Sequence, residues 1–492
     1  MKKNFLKFVL IAFVGMVMGV TFVSCSSDNN DNNNGGGTVT PQDWSKKKAK
    51  YTIMFYGCGG GDVDSQLESS FSGIVKSLNV PNNQVRFTVM YSMSKDDSKY
   101  RQANETTNYL GDWGVTYRYE LSPSTDLTRS GYRSKYKYKN ASEVYLNEPA
   151  TIAEYIEWVK RTAPAENYIL MPVNHGGGFD IDNESLPASR AICYDDNHDQ
   201  EAVSCKAFAE ALKQTNTHLK AVYWFGCLMG QLEVLNELAP HCDFQFCSSH
   251  VSRAIPHITY NIIRAINQSP DDFEKAAKID ETMFLSKDLD YGYNYLQYFQ
   301  NIEDTKQKGV YHNENCDWGC WRSDKLAPIN EQVKKMATLV TENYQTDKEA
   351  IDLVTKSVYS YEYDANYVDV LDYVSKLAVS LQGDKAEKAK QIAIDLAAAL
   401  KAANVYRISG VQRYSADAQP ICPVTNFFSL GISIYKKDAK DYINYGQVYK
   451  ETAFDKATGW SKFFDMNTVS VFHSETNPCN NSSWELVNLL TE

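Results

Sequence analysis

Apolar residues in this chain follow two spacings that alternate along it. Runs of strand length, YTIMFYG (51–57), VRFTVMY (85–91), YILMPVN (168–174), AVYWFG (221–226) and FQFCSS (244–249), are rich in β-branched and aromatic residues and bounded by turn formers. With little polar alternation, they read as strands buried on both faces. Between them the helical spacing takes over. Ile152, Tyr155, Ile156 and Val159 share one helix face, with Pro149 near its start and Pro164 past its end. Further helices are expected near 202–213 and over the amphipathic LMGQLEVLNEL (228–238), and AICY (191–194) adds a short strand. Strands alternating with helices imply an α/β fold, a mostly parallel sheet flanked by helices on both faces. Segment 94–147 is polar and irregular and reads as a long insertion. Beyond about residue 265 the pattern becomes largely helical, most clearly in the alanine-rich 384–404, before LGISIYK (430–436) returns to strand.

The amino-terminal residues fall outside this pattern. Lys2, Lys3 and Lys7 precede an apolar run over 8–23 that ends at Ser24 and Cys25. The run is too short for a comfortable membrane span and reads as a targeting signal. Its Phe-Val-Ser-Cys ending resembles a bacterial lipobox, which makes Cys25 the lipidated first residue of the mature chain. SSDNNDNNNGGGT (26–38) cannot form a core and reads as a tether. An acidic stretch at this place resembles the surface-export signal of Bacteroidota lipoproteins. The expected organisation is a signal peptide over 1–25, a tether over 26–48, an α/β core over 49–265, and a mainly helical region over 266–492 whose strands return to the core. The expected location is extracytoplasmic, at the outer membrane or surface of a Gram-negative-like bacterium, with the lipid as sole membrane attachment.

Composition narrows the function classes. With 492 residues, 43% of them hydrophobic, the chain can bury a substantial core. A net charge of -11 with no compact Lys/Arg cluster argues against nucleic acid or an anionic membrane surface as partner. The 33 tyrosines suit a carbohydrate-binding surface and half-buried aromatic packing equally well. The cysteines after Cys25 are too sparse for a disulfide framework. Among them Cys316 and Cys320 are the expected pair, since a zinc site would need a second ligand pair and only His312 lies near.

Two positions carry candidate chemistry. Cys227 stands where a buried run gives way to an amphipathic one, and a helix amino end at such a junction favours the thiolate. A buried, inert cysteine is the commoner fate of this residue type, and the strand–cysteine–helix setting puts a nucleophile on an equal footing with it. His175 follows another buried run and precedes Gly176, Gly177 and Gly178. Glycines there let a substrate carbonyl approach backbone N–H groups. The glycine-rich 57–61 lacks the Gly-Lys-Ser/Thr of a phosphate loop and reads as a turn. His250 and His257, near the end of the core, are candidates to line a substrate cleft but read more simply as surface polar residues.

NHGGG (174–178) and CLMGQLEV (227–234), each behind a hydrophobic block and offset by 52 residues from 175 to 227, resemble the clostripain-like cysteine peptidases, family C11 of clan CD. ICYDD (192–196), NYVDV (366–370) and TGWSKFF (458–464) extend the likeness over nearly everything after the tether. The resemblance implies a caspase-haemoglobinase-like sandwich and a cysteine endopeptidase acting on proteins or peptides. It implies Cys227 as nucleophile, His175 as its partner, and the backbone N–H groups of Gly176 and Cys227 as the oxyanion hole. No cofactor is required. Calcium supports some relatives, with Asp195 and Asp196 as the donors to consider, but adjacent aspartates in a loop are more often solvated turn residues, and no metal is expected. Arg190, in the stretch between histidine and cysteine, is where relatives are cut to become active, and it reads more simply as an exposed loop arginine.

The chain departs from the family before the nucleophile and again downstream, where relatives that cleave after basic residues tend to have a Gly-x-Gly segment with a second acid and this chain reads AIPHITY (254–260). Relatives that cleave after basic residues carry an aspartate two positions before the nucleophile, where this chain has Phe225 followed by Gly226. A phenyl ring offers a guanidinium no counter-charge, and desolvating a cation without one costs several kcal/mol. A substrate pocket bordered by Phe225 and Gly226 is therefore expected to accept apolar or small residues. The alternative from another class is an inactive relative that binds peptide or glycan at the cell surface.

Overall fold

The computed structural model describes residues 43–45, 47–57, 64–94, 114–127, 134–180, 190–199, 201–250, 257–285, 314–361, 366–412 and 430–471. Residues 41–492 group as one compact unit. At its centre lie five parallel strands: β1 (Ala49–Gly57), β2 (Val85–Ser92), β5 (Ala165–Val173), β9 (Leu219–Tyr223) and β10 (Cys242–Cys247). Each coincides with a run that the sequence pattern marks as buried, and β1 is buried along nearly its whole length because both sheet faces are covered.

Antiparallel strands complete both edges. On one side β3 (Val115–Leu121) and β4 (Lys137–Asn140) follow β2, and on the other β11 (Glu314–Arg322) and β13 (Asn404–Gln412) follow β10. The sheet order is β13-β11-β10-β9-β5-β1-β2-β3-β4. Segment 94–147 is thus not a plain irregular insertion. Its VTYRYEL buries Tyr117, Tyr119 and Leu121, while Arg118 and Glu120 reach partners at the surface. A strand near a sheet edge can mix polar and apolar residues in this way, so its signal is weaker than that of the central strands.

A second small sheet joins β6 (Gly176–Asp180), β7 (Arg190–Asp195) and β8 (Glu201–Val203), and a third pairs β12 (Tyr367–Asp369) with β14 (Gly431–Ser433). The strand expected over LGISIYK therefore exists but stands outside the main sheet.

Helices cover both faces. On one side lie α1 (Asp64–Leu78), and on the other α2 (Pro149–Thr162), α3 (Cys205–Gln214) and α4 (Leu232–Leu238). Helix α5 (His257–Gln268) packs against α1, and α6 (Phe273–Leu285) packs against α5. The apolar stripe of α2, Ile152, Tyr155, Ile156 and Val159, is the set that it buries. The Tyr155 hydroxyl lies 3.0 Å from Thr88 Oγ1 and donates to Phe55 O at 3.1 Å, tying the helix to the sheet. The carboxyl-terminal helices are α7 (Leu326–Asn343), α8 (Lys348–Ser357), α9 (Val370–Ser380), α10 (Asp384–Ala403), α11 (Lys440–Lys450), α12 (Ala453–Thr458) and α13 (Ser461–Phe464).

The pairing expected between Cys316 and Cys320 is overturned. Both lie in β11, where four residues of extended chain span roughly 13 Å, beyond disulfide reach. Cys320 is buried and forms no disulfide.

One buried acid makes stability depend on pH. Asp280 of α6 is fully buried and accepts hydrogen bonds from Tyr223 (2.9 Å) and Tyr406 (2.7 Å). Burial outweighs both bonds and pushes its carboxyl up to about 7. A pKa raised on folding contributes stability that is full below about pH 4 and is lost as pH rises toward 7, a loss on the order of 4 kcal/mol. Asp280→Asn removes this titration while keeping an acceptor oxygen. Denaturant unfolding at pH 4 and pH 8 should show the variant gaining stability relative to the wild type as pH rises, and equal pH dependences would refute the assignment.

Candidate active site

The site is built from the carboxyl ends of β5 and β9, where ligands bind in open α/β sheets. These strands are adjacent and parallel, with Ile169 opposite Ala221 and Leu170 opposite Val222, and the register continues to a bridge between Val173 and Phe225. Phe225 N–H donates to Pro172 O at 3.0 Å and Asn174 N–H to Phe225 O at 3.3 Å. Two residues further along the same register stand His175 and Cys227. Both are partly exposed, each after an unbroken run of buried residues, so the chain emerges from the core at these two points. The Asn174 side-chain oxygen accepts the backbone N–H of His175 and braces the turn.

Beyond the strands, the two loops touch through their backbones. A Cβ placed on Gly176 would lie 2.2 Å from Cys227 O and 2.6 Å from Cys227 N. One placed on Gly226 would lie 3.1 Å from the Gly176 Cα and 2.8 Å from Ile192 Cδ1. Only glycines permit this approach. The structure thus brings Gly176, Gly226 and Cys227 together, with the Cys227 backbone nitrogen against Gly176.

The helix expected from residue 228 begins later, at Leu232, so Cys227 does not sit at a helix amino end. The intervening backbone groups are taken by other partners. Leu228 N–H donates to His250 O (2.9 Å), Gly230 N–H to Ser248 O (2.7 Å), and Gly431 N–H to Gly230 O (2.9 Å). Leu228 is held at φ 62°, a left-handed conformation that costs a non-glycine residue about 1–2 kcal/mol. His250, expected at the surface, is fully buried: its Nδ1 lies 3.0 Å from Tyr361 O and its ring packs edge-on against Tyr359 and Tyr361. It braces the turn after Cys227 from inside. The side chain of His257 lies outside the described residues.

The remaining candidates are distributed as follows. Phe225 is 5% exposed and Gly226 is buried, so their contribution near the site is the lack of a carboxylate rather than a broad surface. Asp195, expected as a solvated turn residue, is buried. Its carboxylate accepts from Asn197 N–H (2.9 Å) and Asn197 Nδ2 (3.0 Å) and pairs with His198 Nδ1 (2.9 Å), while burial pushes its pKa up. The side chain of Asp196 is outside the described residues, as is Cys25. Among the described residues no group of three or more His, Cys, Asp or Glu is placed to hold a metal ion. Arg190 opens β7 opposite Asp180, and Ile192 two residues on pairs with Gly176.

Sequence periodicity carries no signal for the contacts of Ile192, His250 or β14 with this site, since each is made by a residue distant in the chain. The paired glycines at 176 and 226 are the one local hint.

The model of the clostripain family, peptidase family C11, matches residues 132–467. Clostripain from Hathewaya histolytica is 24% identical over 209 residues, which are 41% of this chain and 38% of that protein. The chain thus matches less than half the length of that relative. A secreted C11 cysteine protease from Bacteroides thetaiotaomicron, "iotapain", is similar in structure with a TM-score of 0.53 at 14% identity, covering 84% of this chain and 100% of that one. A secreted C11 cysteine protease from the same organism, solved with an irreversible peptide inhibitor, gives 0.54 at 14% identity over 84% of this chain and 99% of that one. An inactive zymogen C11 protease from Parabacteroides distasonis gives 0.53 at 15% identity over the same shares. At these identities the structural likeness speaks for the fold.

The glycine contact has a direct test. Gly176→Ala forces a methyl group into the Gly226–Cys227 backbone, and overpacking of this kind costs typically about 1–3 kcal/mol. Denaturant unfolding should show a loss of that size, and alkylation of Cys227 by iodoacetamide should change in rate because the loop that carries it must shift. Unchanged stability together with an unchanged alkylation rate would refute the contact.

Proposed function

Starting from the fact that the chain belongs to the clostripain family of cysteine peptidases, we propose that it hydrolyses peptide bonds with Cys227 as nucleophile and His175 as general base and acid. His175 takes the thiol proton, and the Cys227 sulfur attacks the scissile carbonyl carbon. The oxyanion that forms is stabilised by the Gly176 and Cys227 backbone N–H groups, and His175 returns the proton to the departing amine. Water then cleaves the thioester, releasing the acid and restoring the thiol. The observation that carries this reading is the side-chain-free contact between Gly176 and the Gly226–Cys227 backbone, on adjacent parallel strands in constant register. No step needs a metal or cofactor.

We extend the proposal to specificity and place of action. Phe225 stands two residues before the nucleophile, so a substrate cation would find no carboxylate there, and small or apolar residues are the preferred ones. The substrates are extracytoplasmic proteins or peptides, with lipid on Cys25 as anchor. This rests on the signal-like amino terminus and on two structural relatives described as secreted. Among the described residues no helix is long and apolar enough to cross a membrane. Activation by cleavage after Arg190 is disfavoured, because Arg190 is the first residue of β7 and is paired with Asp180, whereas proteolysis favours exposed loop tips.

On a fluorogenic peptide panel, Cys227→Ala and His175→Ala should each lower turnover by about 10³-fold or more, and leucine or alanine should be cleaved at least as well as arginine at the scissile position. Equal labelling of wild type and Cys227→Ala by a thiol-directed covalent probe would favour the peptide- or glycan-binding alternative. An arginine preference of about 100-fold, close to 3 kcal/mol, would overturn the specificity assignment. The intact mass of the purified protein should show no break at Arg190, and two fragments meeting there would refute that part.

A further inference from the structure

The small β12–β14 sheet stands behind both reactive loops and touches each by a different bond. Gly431 of β14 donates its N–H to Gly230 O, three residues after Cys227, at 2.9 Å. Tyr367 of β12 donates its hydroxyl to Gly177 O, two residues after His175, at 2.8 Å. The two strands pair with each other through Tyr367–Ser433, Val368–Ile432 and Asp369–Gly431. Together they hold both loops. The Tyr367 end of this sheet acts on a segment with no side chains of its own, Gly176, Gly177 and Gly178, in which Gly178 sits at φ 60°. Gly176 is already held by its pairing with Ile192 and its contact with the Cys227 backbone, and the Tyr367 hydroxyl adds the bond that fixes the next carbonyl, that of Gly177, and with it the setting of the Gly176 N–H expected to receive the oxyanion.

Resting on the dyad reading above, we propose that Tyr367 is a positioning residue for catalysis: its hydroxyl, bound to the Gly177 carbonyl, holds the three-glycine turn in the orientation that aims the Gly176 N–H at the developing oxyanion. Three features make Tyr367 rigid enough for this. Its side chain is buried, with 3% of the residue exposed. Two residues on, Asp369 is also buried; it accepts the Tyr361 hydroxyl at 2.6 Å and caps α9 through Leu371 N–H and Asp372 N–H, both at 2.9 Å. The ring also lies against the turn itself, with its Cζ 3.3 Å from where a Cβ on Gly178 would be. Since the tyrosine does not touch the scissile bond, its effect falls on the transition state through the loop and leaves ground-state binding and the thiol alone.

The test compares the purified full chain with Tyr367→Phe, with 4-aminophenylalanine in place of Tyr367, and with Cys227→Ala, on a peptide with leucine at the scissile position. Tyr367→Phe should lower kcat about 10-fold with KM within about 2-fold, since loss of one oriented oxyanion donor costs 10²–10³-fold and loss of orientation alone costs less. Iodoacetamide alkylation of Cys227 and the thermal midpoint should be nearly unchanged, and the aminophenyl variant, which keeps a donor, should recover most of kcat. A kcat for Tyr367→Phe within 2-fold of wild type would overturn the proposal, as would a loss that the aminophenyl variant shares although it folds. Should Tyr367→Phe fail to fold, 4-fluorophenylalanine at 367, which fills the same space without a donor, decides by the same kcat criterion. Turnover that persists in Cys227→Ala would instead sink the dyad reading and this proposal with it, and is distinguishable because it needs no change at Tyr367.

Discussion

The site depends on one steric condition: no side chain stands between Gly176 and the peptide joining Gly226 to Cys227. With a Cβ at 176 only 2.2 Å from the Cys227 carbonyl oxygen, any other residue would drive the two loops apart. The parallel register of β5 and β9 delivers the loops to this contact, because the offset that pairs Ile169 with Ala221 is the offset between His175 and Cys227. Hydrogen bonds from outside the two strands then hold the loops in place. His250 O and Ser248 O grip the turn after Cys227, Gly431 bonds the same turn at Gly230 O, and Tyr367 bonds the loop after His175. A leucine held in the left-handed region at 228 shows that these bonds dominate local backbone preference there.

The carboxyl-terminal half is joined to this machinery through buried acids. Glu233, on the helix after Cys227, is fully buried and accepts Ser433 N–H at 2.8 Å and the Tyr449 hydroxyl at 2.6 Å, with burial pushing its carboxyl pKa up. Asp280 joins α6 to β9 and β13 through two tyrosine hydroxyls. Asp372 and Lys376 form a buried pair within α9, and the same carboxylate accepts Tyr359 N–H at 2.7 Å. Buried polar groups of this kind add little net stability and leave few alternative packings, since every displaced arrangement strands a desolvated carboxyl. The helical layer is thereby locked to one position relative to the strand ends that carry the thiol and the imidazole. The edges of the main sheet are finished by the same principle of pairing: β3 with β4 on one side and β11 with β13 on the other leave the parallel centre with no open edge.

Much of the architecture was legible from residue spacing. The central strands appear as unbroken apolar runs because both faces of a parallel sheet are covered, and the buried stripe of α2 is the set of four residues that helical periodicity selects. The offset between His175 and Cys227 was visible before its cause, the constant register of β5 on β9. Elsewhere local pattern misled. VTYRYEL reads as polar because Arg118 and Glu120 are satisfied by Glu154 and Arg86, partners that lie on other elements. Cys316 and Cys320 look paired by spacing, but that spacing brings residues together in a helix, and they lie on a strand.

The chain by itself determined its central strands and the buried stripe of α2, its family, and the residue types at the two strand ends, because burial periodicity and motif identity are local properties. Only tertiary structure decided that residues 228–231 run as a bonded turn instead of helix, that His250 and Asp195 are buried, and that Tyr367 meets the glycine turn. Each of these outcomes rests on a hydrogen bond or a steric contact made by a group remote in sequence. Such partners leave no trace in the periodicity of the segment they act upon, so the choice between a helical turn and a braced loop is settled only when the strands have brought those groups together.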